Sequence, residues 1–441
     1  MAKYFGTNGV RGTFDVLTSS LALQLAQAIG IYFKRGKILV ARDHRLTSPA
    51  LSHAVIAGLQ SMGCDVIDFG LLPAPVAEWS IQPLQADGLI IITASHNPPE
   101  WNGIKVIDGS GITVSRERGE EIEKLMDRVS SVPWNKTGKY VSSTGTMEKY
   151  VQAILPLLNV EKIKKRKLKL VLDFGNGTTA LTEPLFRSLG CELITLNAQM
   201  DGRFPGRPSE PTEKNVQDLI AAVKATQADA GIAWDGDGDR IVFVDEKGSY
   251  VIGDKVFGLS ILWQFAQKKG DVVTTVATSK IVEDIAKKSN AKLLYTKIGA
   301  PYLSETVAKK KAAIAGEEVG GVIWPQVSLA KDGVFTAAKL CEALCEKPLG
   351  KWLEELPVYY TEKTKLEANE KQKTKIVQKI RAYAKKKKFK FIDIDGVRIN
   401  FDDSWVIVRA SGTEHYVRVF AEAKTPEKAK QLLSEYKMLA K

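Results

Sequence analysis

DGLIIITASHNPPEWNGIK, residues 87–105, is the stretch that decides how this chain is organised. The apolar, mostly β-branched run from Gly88 to Ile92 predicts a short buried strand, because it continues without alternation and stops at turn-forming residues. Asn97–Pro98 and Asn102–Gly103 are typical loop dipeptides. The pattern therefore places the Ser95 hydroxyl on a constrained loop at a strand end. That position suits a nucleophile, although most loop serines are solvated or capping residues.

A second polar loop, AWDGDGDR at residues 233–240, lies between an apolar stretch and a strand-like one. Its three carboxylates, Asp235, Asp237 and Asp239, alternate with small residues, so in an extended loop all three can converge on one point and repel one another. A divalent cation removes that conflict. Hard oxygen ligands favour magnesium, and the twelve-residue calcium loop is disfavoured because its bidentate Glu is missing. The alternative interpretation is an acidic surface turn.

Composition excludes several classes of protein. The net charge of +12 suggests nucleic-acid binding, but lysine runs such as 162–169 and 383–390 have no aromatic-rich sheet beside them and are interpreted as surface helix ends and turns. Residues 1–14 lack the apolar core of a signal peptide, and no run approaches the roughly 20 apolar residues of a membrane span. A cytoplasmic protein with neither nucleic-acid nor membrane partners is predicted. Reduced, buried thiols are expected at Cys64, Cys191, Cys341 and Cys345.

The 441 residues are too many for one hydrophobic core, and the spacing of the motifs indicates four domains. Predicted strands and helices alternate, with helices over 19–34 and 49–62 and strands over 38–41 and 65–69, which is typical of parallel α/β layers. A second and a third unit repeat this layout, and the charged stretch 357–371 is predicted to bridge to the last unit. The prediction is three tandem α/β domains with mixed, mostly parallel sheets and a smaller α+β C-terminal domain around a central cleft. Their predicted ranges are 1–149 for domain I, 150–252 for domain II, 253–362 for domain III and 363–441 for domain IV.

Four further loops carry polar groups suited to anions or sugars. FGTNGVRG, residues 5–12, combines glycines with Arg11, and Arg42 and Arg45 are candidate phosphate ligands or surface charges. In GEEVGG, residues 316–321, Glu317 and Glu318 could accept hydrogen bonds from sugar hydroxyls, and the alternative interpretation is a plain acidic turn. RASGTE, residues 409–414, brings a guanidinium, two hydroxyls and an open backbone together, as in a phosphate cradle or a hydroxyl-rich turn. The residues of that cradle are Arg409, Ser411, Gly412 and Thr413.

The motifs FGTNGVRG, TASHNP, DGDGDR and RASGTE, in this order, resemble the α-D-phosphohexomutase family, which includes phosphoglucomutase, phosphomannomutase and phosphoglucosamine mutase. The resemblance covers essentially the whole chain. It implies an intramolecular phosphotransferase, an isomerase that interconverts hexose 6-phosphate and hexose 1-phosphate through a phosphoserine and a 1,6-bisphosphate, which also serves as activator. It further implies that Ser95 carries the phosphoryl group and that Asp235, Asp237 and Asp239 hold Mg²⁺ together with that phosphoserine.

The same resemblance assigns the other site residues. Arg240 would be a cation for the transferring group, and Arg11 and Lys105 would give general acid and base assistance. The sugar loop would bind substrate through Glu317, with Val319 in the same loop. The non-reacting phosphate would be bound by Arg409, Ser411, Gly412 and Thr413.

Three departures from the family pattern bear on the substrate. Many relatives have Ser and His where this chain has Val319 and Gly321, and His415 stands where Pro is usual. GEEVGG is closest to the GEENGG of archaeal-like phosphoglucosamine mutases, so glucosamine phosphate is the first predicted substrate, with glucose or mannose phosphate as the alternative. The competing classes are a metal-dependent sugar phosphatase and a non-enzymatic protein that binds anions or nucleic acid through its +12 charge. A monomer or homodimer is expected, with a C-terminal domain that rotates to close the cleft.

Overall fold

The computed structural model describes residues 3–411 and 415–440, and four β-sheets follow one another along the chain. Domain I contains a seven-stranded sheet with the order β1-β2-β6-β5-β3-β4-β7. Its strands are β1 (Phe5–Gly6), β2 (Gly9–Thr13), β3 (Lys37–Arg42), β4 (Asp65–Leu71), β5 (Gly88–Ile92), β6 (Trp101–Asp108) and β7 (Tyr140–Ser142). Its helices are α1 (Ser19–Tyr32), α2 (Ser48–Ser61), α3 (Ala74–Trp79), α4 (Ile81–Leu84) and α5 (Arg116–Glu123).

Domain II has a five-stranded sheet made of β8 (Lys169–Asp173), β9 (Glu192–Leu196), β10 (Ala230–Trp234), β11 (Ile241–Val244) and β12 (Tyr250–Val251). Its helices are α6 (Thr146–Ile154), α7 (Val160–Arg166), α8 (Glu183–Ser188) and α9 (Gln217–Thr226). Domain III has a four-stranded sheet made of β13 (Val272–Thr275), β14 (Leu293–Thr296), β15 (Ile314–Gly316) and β16 (Val322–Ile323). Its helices are α10 (Gly253–Gln267), α11 (Lys280–Lys288), α12 (Ala300–Lys310), α13 (Gly333–Leu344) and α14 (Leu349–Leu353).

Domain IV is an antiparallel sheet covered by two helices. Its strands are β17 (Tyr360–Glu367), β18 (Lys390–Ile392), β19 (Val397–Asn400), β20 (Ser404–Ala410) and β21 (Tyr416–Ala423). Its helices are α15 (Glu370–Lys386) and α16 (Pro426–Ala440). The prediction that 357–371 is a bridge was wrong, since β17 is a full edge strand whose exposed and half-buried residues alternate along its length. The strand also begins before the predicted domain boundary at 362.

The three α/β domains repeat one strand arrangement. In each, three parallel strands are followed by an antiparallel one, in the orders β4-β3-β5-β6, β9-β8-β10-β11 and β14-β13-β15-β16. The loop into the antiparallel strand therefore starts at the carboxyl end of a parallel strand, where ligand sites of α/β sheets gather. These three loops carry Ser95 in domain I, the acidic residues 235–239 in domain II and Glu317 in domain III.

One continuous apolar core joins domains I, II and III. It includes fully buried side chains from all three sheets and their helices, such as Leu89, Leu172 and Phe257. The opposite face of each sheet packs against a core of its own. Because the shared core fixes the three sheets against one another, it also fixes the three loops that leave their edges.

Domain IV is attached to domain III through buried polar contacts and a small apolar cluster. The guanidinium of Arg398, which is fully buried, donates to the carbonyl oxygens of Val276 at 2.9 Å and Thr278 at 2.8 Å. In return, Lys280 N–H donates to Glu422 Oε1 at 2.8 Å. Apolar residues of both domains, including Trp405, pack together there.

Asp254 lies near this junction and makes the stability of the protein pH-dependent. It is buried and accepts the Ser279 N–H at 2.8 Å. Burial, followed by the charge of Glu422, raises its pKa to about 8. The folded state then keeps a proton that the unfolded state has lost, so unfolding releases a proton and becomes easier as the pH rises. We expect this carboxyl by itself to lower the free energy of unfolding by about 1 kcal/mol per pH unit between roughly pH 5 and pH 7.

Asp254→Asn tests this expectation, because an amide still accepts the Ser279 N–H and has no proton to lose. Denaturant melts at several pH values should show a smaller slope in Asp254→Asn than in the wild type. Asp127→Asn, at an exposed aspartate, should keep the wild-type slope. An unchanged slope in Asp254→Asn would contradict the raised pKa.

Two predictions concern the whole chain. Over residues 3–411 and 415–440, no helix combines the length and apolar character that a membrane crossing requires. The four cysteines are free thiols, as expected; Cys64, Cys191 and Cys341 are buried and Cys345 is half-buried.

Candidate active site

The loop between β5 and β6 holds Ser95 in an unusual backbone conformation. Ser95 is 3% exposed, and its φ of +50° lies in the left-handed region that L residues rarely adopt. Its N–H donates to Thr93 Oγ1 at 3.0 Å, and its hydroxyl donates to Asp235 Oδ2 at 2.5 Å. Backbone strain of this kind costs about 1–3 kcal/mol and collects at functional sites. The loop thus presents the Ser95 hydroxyl to the acidic loop of domain II.

Arg45 holds the Ser95 loop in place, so its interpretation as a phosphate ligand was wrong. The side chain is fully buried, and its Nε donates to Asp43 Oδ2 at 3.0 Å. Its other N–H groups donate to the carbonyl oxygens of Ser95, Asn97, Pro98 and Trp101. All five guanidinium donors are therefore used within domain I. The sequence interpretation failed because the carbonyl acceptors come from a loop 50 residues away.

Replacing Arg45 with lysine should misplace the nucleophile while keeping the charge. A lysine ammonium cannot reproduce the planar fork that reaches several carbonyl oxygens at once. We expect Arg45→Lys to lower kcat on the order of 10²-fold, the effect of about 1 Å of misplacement, with a smaller change in KM. Arg203→Lys, at an exposed arginine paired with Asp201, is the control and should leave kcat unchanged. The measurement is the steady-state kinetics of both variants, with circular dichroism to verify folding. A wild-type kcat in Arg45→Lys would rule out the positioning role.

The acidic loop forms a buried carboxylate cluster. One ligand atom from each of Asp235, Asp237 and Asp239 can be chosen so that all three lie within 4.8 Å of one another. Asp237 Oδ1 and Asp239 Oδ1 are buried and have no hydrogen-bond partner among the described residues. Asp235 Oδ1 accepts the N–H groups of Gly238 and Arg240, at 3.1 and 3.2 Å. Two orphaned carboxylate oxygens in a buried cluster of three carboxylates fit a hard divalent cation such as Mg²⁺.

The three carboxylates differ in how strongly their charge is opposed. Burial, and then the neighbouring carboxylates, raises the pKa of Asp235 and raises that of Asp237 well above its ordinary range. Burial also opposes the charge of Asp239, but Lys331 and other nearby cations outweigh it and lower the pKa of that carboxyl. A divalent cation at the cluster would relieve the repulsion that remains between these groups.

The predicted cations surround this cluster. Arg240 Nε lies 3.9 Å from Asp239 Oδ1, and Arg11 Nη1 donates to Asn97 Oδ1 of the serine loop at 2.7 Å. Arg11 is on strand β2, paired with Gly103 of β6, so the predicted glycine loop around it is in fact a hairpin. Gly9 allows close strand packing, because a β-carbon there would lie 2.2 Å from the carbonyl oxygen of Ile104 on β6.

Lys105, on β6, is buried and its Nζ lies 2.6 Å from Glu78 Oε1. Burial disfavours its charge, yet Glu78 and the acidic cluster raise the pKa of Lys105 overall. The neighbouring carboxylates thus favour the ammonium form of Lys105, while burial raises the pKa of its partner Glu78. Next to Ser95, burial and then the charges of Arg240 and Arg11 lower the pKa of His96 to about 2, so its ring is neutral.

The GEEVGG loop forms a tight turn beside the acidic loop. Glu317 N–H donates to the carbonyl oxygen of Gly321 at 3.1 Å, and Val319 lies half-buried within the turn. Glu317 Oε1 accepts from Lys331 Nζ at 2.8 Å, and the same ammonium lies 3.0 Å from Asp239 Oδ2. Lys331 thus links Glu317 to the acidic cluster of domain II.

The residues predicted to bind the second phosphate lie in domain IV. Arg409 is half-buried at the end of β20, where its Nη2 donates to Asp395 Oδ2 at 3.2 Å. Asp395 Oδ2 also accepts the Ile298 N–H of domain III at 3.0 Å, so the arginine is linked to that domain. Ser411 is buried, and its carbonyl oxygen accepts from Lys373 Nζ at 2.8 Å. Gly412 and Thr413 lie outside the described residues. His415, with an exposed side chain, has its Nδ1 3.9 Å from Glu370 Oε1.

Several residues at the site were not singled out from the sequence. Thr93 bridges the two loops, since its hydroxyl donates to Asp237 Oδ2 at 3.0 Å and accepts the Ser95 N–H. Ser209 donates to the carbonyl oxygen of Ser95 at 2.8 Å and accepts the Gly236 N–H at 3.0 Å. Thr93 could have been found by its position at the end of β5. Ser209 and Lys331 give no signal of their own, because their contacts are made between domains.

Comparisons with known proteins agree with this geometry. Sequence models of phosphoglucomutase/phosphomannomutase match the chain in order: alpha/beta/alpha domain I over 2–132, domain II over 148–248, domain III over 252–360 and the C-terminal domain over 363–437. A phosphoglucomutase/phosphomannomutase of Thermococcus kodakarensis is 42% identical, over 98% of this chain and 97% of its own length. A probable phosphoglucosamine mutase of Methanopyrus kandleri is 37% identical, over 99% and 97%.

Among solved structures, a phosphoglucomutase/phosphomannomutase family protein of Burkholderia thailandensis superimposes with a TM-score of 0.88 and 28% identity, covering 98% of this chain and 96% of its own. The matched models and relatives are mutases of sugar phosphates, which are isomerases that transfer a phosphate group. The chain belongs to the α-D-phosphohexomutase family, the isomerases that include phosphoglucomutase, phosphomannomutase and phosphoglucosamine mutase.

Proposed function

We propose that this protein interconverts hexose 6-phosphate and hexose 1-phosphate through a phosphoserine at Ser95 and a 1,6-bisphosphate intermediate, with glucosamine phosphate as the preferred substrate. The observation that carries the proposal is the Ser95 hydroxyl, which is buried, strained in its backbone and 2.5 Å from Asp235. A serine so placed has an activating cluster beside it, which a solvated turn serine lacks.

In the proposed reaction, Ser95 is the only residue of the protein that forms a covalent bond with the phosphoryl group. The phosphoryl group on Ser95 Oγ passes to the free hydroxyl of a hexose monophosphate, and the hydroxyl proton takes its place on Oγ. The bisphosphate then turns round and its other phosphoryl group passes to Ser95 Oγ, while the serine proton moves to the released sugar oxygen, which becomes the hydroxyl of the isomer. Catalysis of such transfers comes from positioning and charge neutralisation. Arg11, Arg240 and Lys105 supply cations around the transfer, with Lys105 held in its protonated form by Glu78.

Asp235, Asp237 and Asp239 would hold Mg²⁺, which when bound supplies positive charge for the phosphoryl oxygens. The two oxygens without partners in that cluster support this assignment. A hexose 1,6-bisphosphate would act as activator, because it can phosphorylate Ser95 in enzyme that has lost its phosphoryl group.

Substrate binding is proposed to involve domains III and IV. Glu317 would accept hydrogen bonds from sugar hydroxyls, and Val319 would contact the ring. Arg409, Ser411 and the loop that follows would hold the non-reacting phosphate, and domain IV would rotate to close the cleft. Glu318 of the sugar loop is half-buried, and its Oε2 accepts the Thr275 hydroxyl at 3.2 Å; the carboxylate could in addition pair with the ammonium group of an amino sugar. The names of relatives support both glucosamine phosphate and glucose or mannose phosphate as substrates, because they include phosphoglucosamine mutase and phosphoglucomutase/phosphomannomutase. A cytoplasmic location stays a prediction.

The experiment is to assay glucosamine 6-phosphate, mannose 1-phosphate and glucose 1-phosphate side by side, with Mg²⁺ and a trace of the matching 1,6-bisphosphate. We expect isomerisation of all three and the highest kcat/KM for glucosamine phosphate. A higher value for glucose or mannose phosphate would overturn the preferred substrate while leaving the reaction intact. Accumulation of free phosphate in place of isomerisation would identify a phosphatase and overturn the mutase proposal.

A further inference from the structure

Lys331 is the buried cation that joins the metal-binding loop to the sugar loop. It follows β16 and is held by an antiparallel bridge to Ile323. Its side chain is 4% exposed, with Nζ 3.0 Å from Asp239 Oδ2 and 2.8 Å from Glu317 Oε1. A single ammonium group thus contacts a carboxylate of domain II and a carboxylate of domain III. Because both contacts are buried, the Coulombic attraction in each is less screened than in a surface ion pair, although burial of the charges carries a desolvation cost.

Gly321 provides the space that Lys331 needs. A β-carbon at position 321 would lie 2.3 Å from Lys331 Cδ and 3.2 Å from Glu317 Oε1. The first distance is much shorter than a van der Waals contact, so any side chain at 321 would displace the aliphatic stem of the lysine. The observed position of the Lys331 side chain therefore requires a glycine at position 321 of the sugar loop.

The position of Lys331 has opposite consequences for the two loops. It fixes one oxygen of Glu317, so the carboxylate is oriented before a sugar arrives. It also neutralises Asp239, whose other oxygen has no hydrogen-bond partner among the described residues and lies 3.9 Å from Arg240 Nε. A cation that close to a metal ligand weakens the attraction of the cluster for a divalent ion.

We propose that Lys331 is a positioning residue that orients Glu317 for sugar binding and, at the same time, lowers the affinity of the acidic cluster for Mg²⁺. We also propose that Gly321 is required because it leaves space for the Lys331 side chain. The part concerning the sugar rests on the proposed function, whereas the part concerning the metal does not. Removing the ammonium group should therefore change the two affinities in opposite directions, which a loss of folding stability alone would not do.

The first test is Lys331→Met, which keeps an unbranched apolar side chain. Mg²⁺ binding is measured by calorimetry without sugar, and KM and kcat are measured with hexose phosphate. We expect the Kd for Mg²⁺ to fall roughly three- to tenfold, equivalent to about 1 kcal/mol, and KM to rise about tenfold with a smaller change in kcat. An unchanged or weaker Mg²⁺ affinity would overturn the proposal. If no hexose phosphate is isomerised by the wild type, the proposed function fails while the Mg²⁺ titration still tests the role of Lys331.

Lys339→Met is the matched control. Lys339 is also a buried lysine of domain III and is paired with Glu342 on the same helix, α13. Since it contacts neither loop in the described hydrogen bonds and ion pairs, its replacement should leave both the Kd for Mg²⁺ and KM at wild-type values. A change in both that matches Lys331→Met would show that any buried lysine of this domain has the effect, and would also overturn the proposal.

A double-mutant cycle with Gly321→Ala tests whether the Lys331 side chain needs the space that Gly321 leaves. This test does not depend on the stability of Lys331→Met. In the wild type, Gly321→Ala should raise KM about as much as the loss of Lys331 does. In a Lys331→Ala background the same change should cost little, because the stem that it would displace is gone. Costs that simply add would show that the two residues act independently and would refute the link between them.

Discussion

Ser95→Ala is expected to abolish isomerisation, with kcat at least about 10⁴-fold below the wild type for every hexose phosphate. The hydroxyl is the only group proposed to carry the phosphoryl group between the two positions of the sugar, and an alanine leaves nothing to form that bond. The loss should be in kcat, because the loops that bind sugar and phosphate are untouched. Steady-state assays measure the loss of kcat. Incubation with a hexose 1,6-bisphosphate, followed by mass spectrometry of the intact protein, measures whether the variant can still be phosphorylated.

A glycine at the same position separates chemistry from backbone strain. Ser95 has φ of +50°, which glycine adopts freely and alanine does not. Ser95→Gly should be as inactive as Ser95→Ala but more stable by about 1 kcal/mol in denaturant melts. Ser260→Ala, which removes a buried hydroxyl from α10 far along the chain, should keep full activity. Retention of isomerisation by both Ser95 variants would refute the proposed nucleophile.

Asp237→Asn is expected to lower activity on the order of 10³-fold or more, and to remove the stabilisation by Mg²⁺. Loss of a residue in the outer shell of a metal site already costs 10- to 100-fold, and Asp237 is a proposed direct ligand. Metal at 100 times its Kd stabilises a protein by about 2.7 kcal/mol. The wild type should therefore melt at a higher temperature with saturating Mg²⁺ than with a chelator, whereas the variant should melt at the same temperature in both.

The metal-free variant should be no less stable than the metal-free wild type. The asparagine amide oxygen can still accept the Thr93 hydroxyl, and one of three repelling carboxylates is gone. Asp218→Asn, at an exposed aspartate on α9, is the control and should keep the wild-type response to Mg²⁺. A full Mg²⁺-dependent shift in Asp237→Asn would refute the assignment of this residue as a ligand.

The loops at the centre of the site could be predicted because their signals are local. The apolar run into Ser95 ends where the strand ends, and DGDGDR is short enough for its three carboxylates to meet. The assignment to the family, the three α/β domains and the separate C-terminal domain followed from the same stretches and are confirmed. The roles of the individual site residues stay predictions.

What could not be predicted depends on contacts between distant segments. Arg45 gives its five donors to groups of its own domain that lie mostly some 50 residues away, and nothing in RDHRLTSP indicates those acceptors. Lys331 lies 92 residues beyond Asp239, on the opposite side of a domain boundary. The edge strand β17 was not predicted for another reason. Its exposed face is largely charged, so its composition resembles that of a linker. Only the alternation in burial along the segment shows that it is a strand.

The strand arrangement shared by domains I, II and III suggests how such an enzyme could arise and diversify. One α/β unit, copied twice, would supply three equivalent connections at the same sheet edge, and each copy could then acquire a different short peptide there. The nucleophile, the metal ligands and the sugar contact would thus be inherited as separate modules of common ancestry. A new sugar preference could then evolve through substitutions in the third module and its supporting lysine, while the peptides that perform phosphate transfer stay as they are.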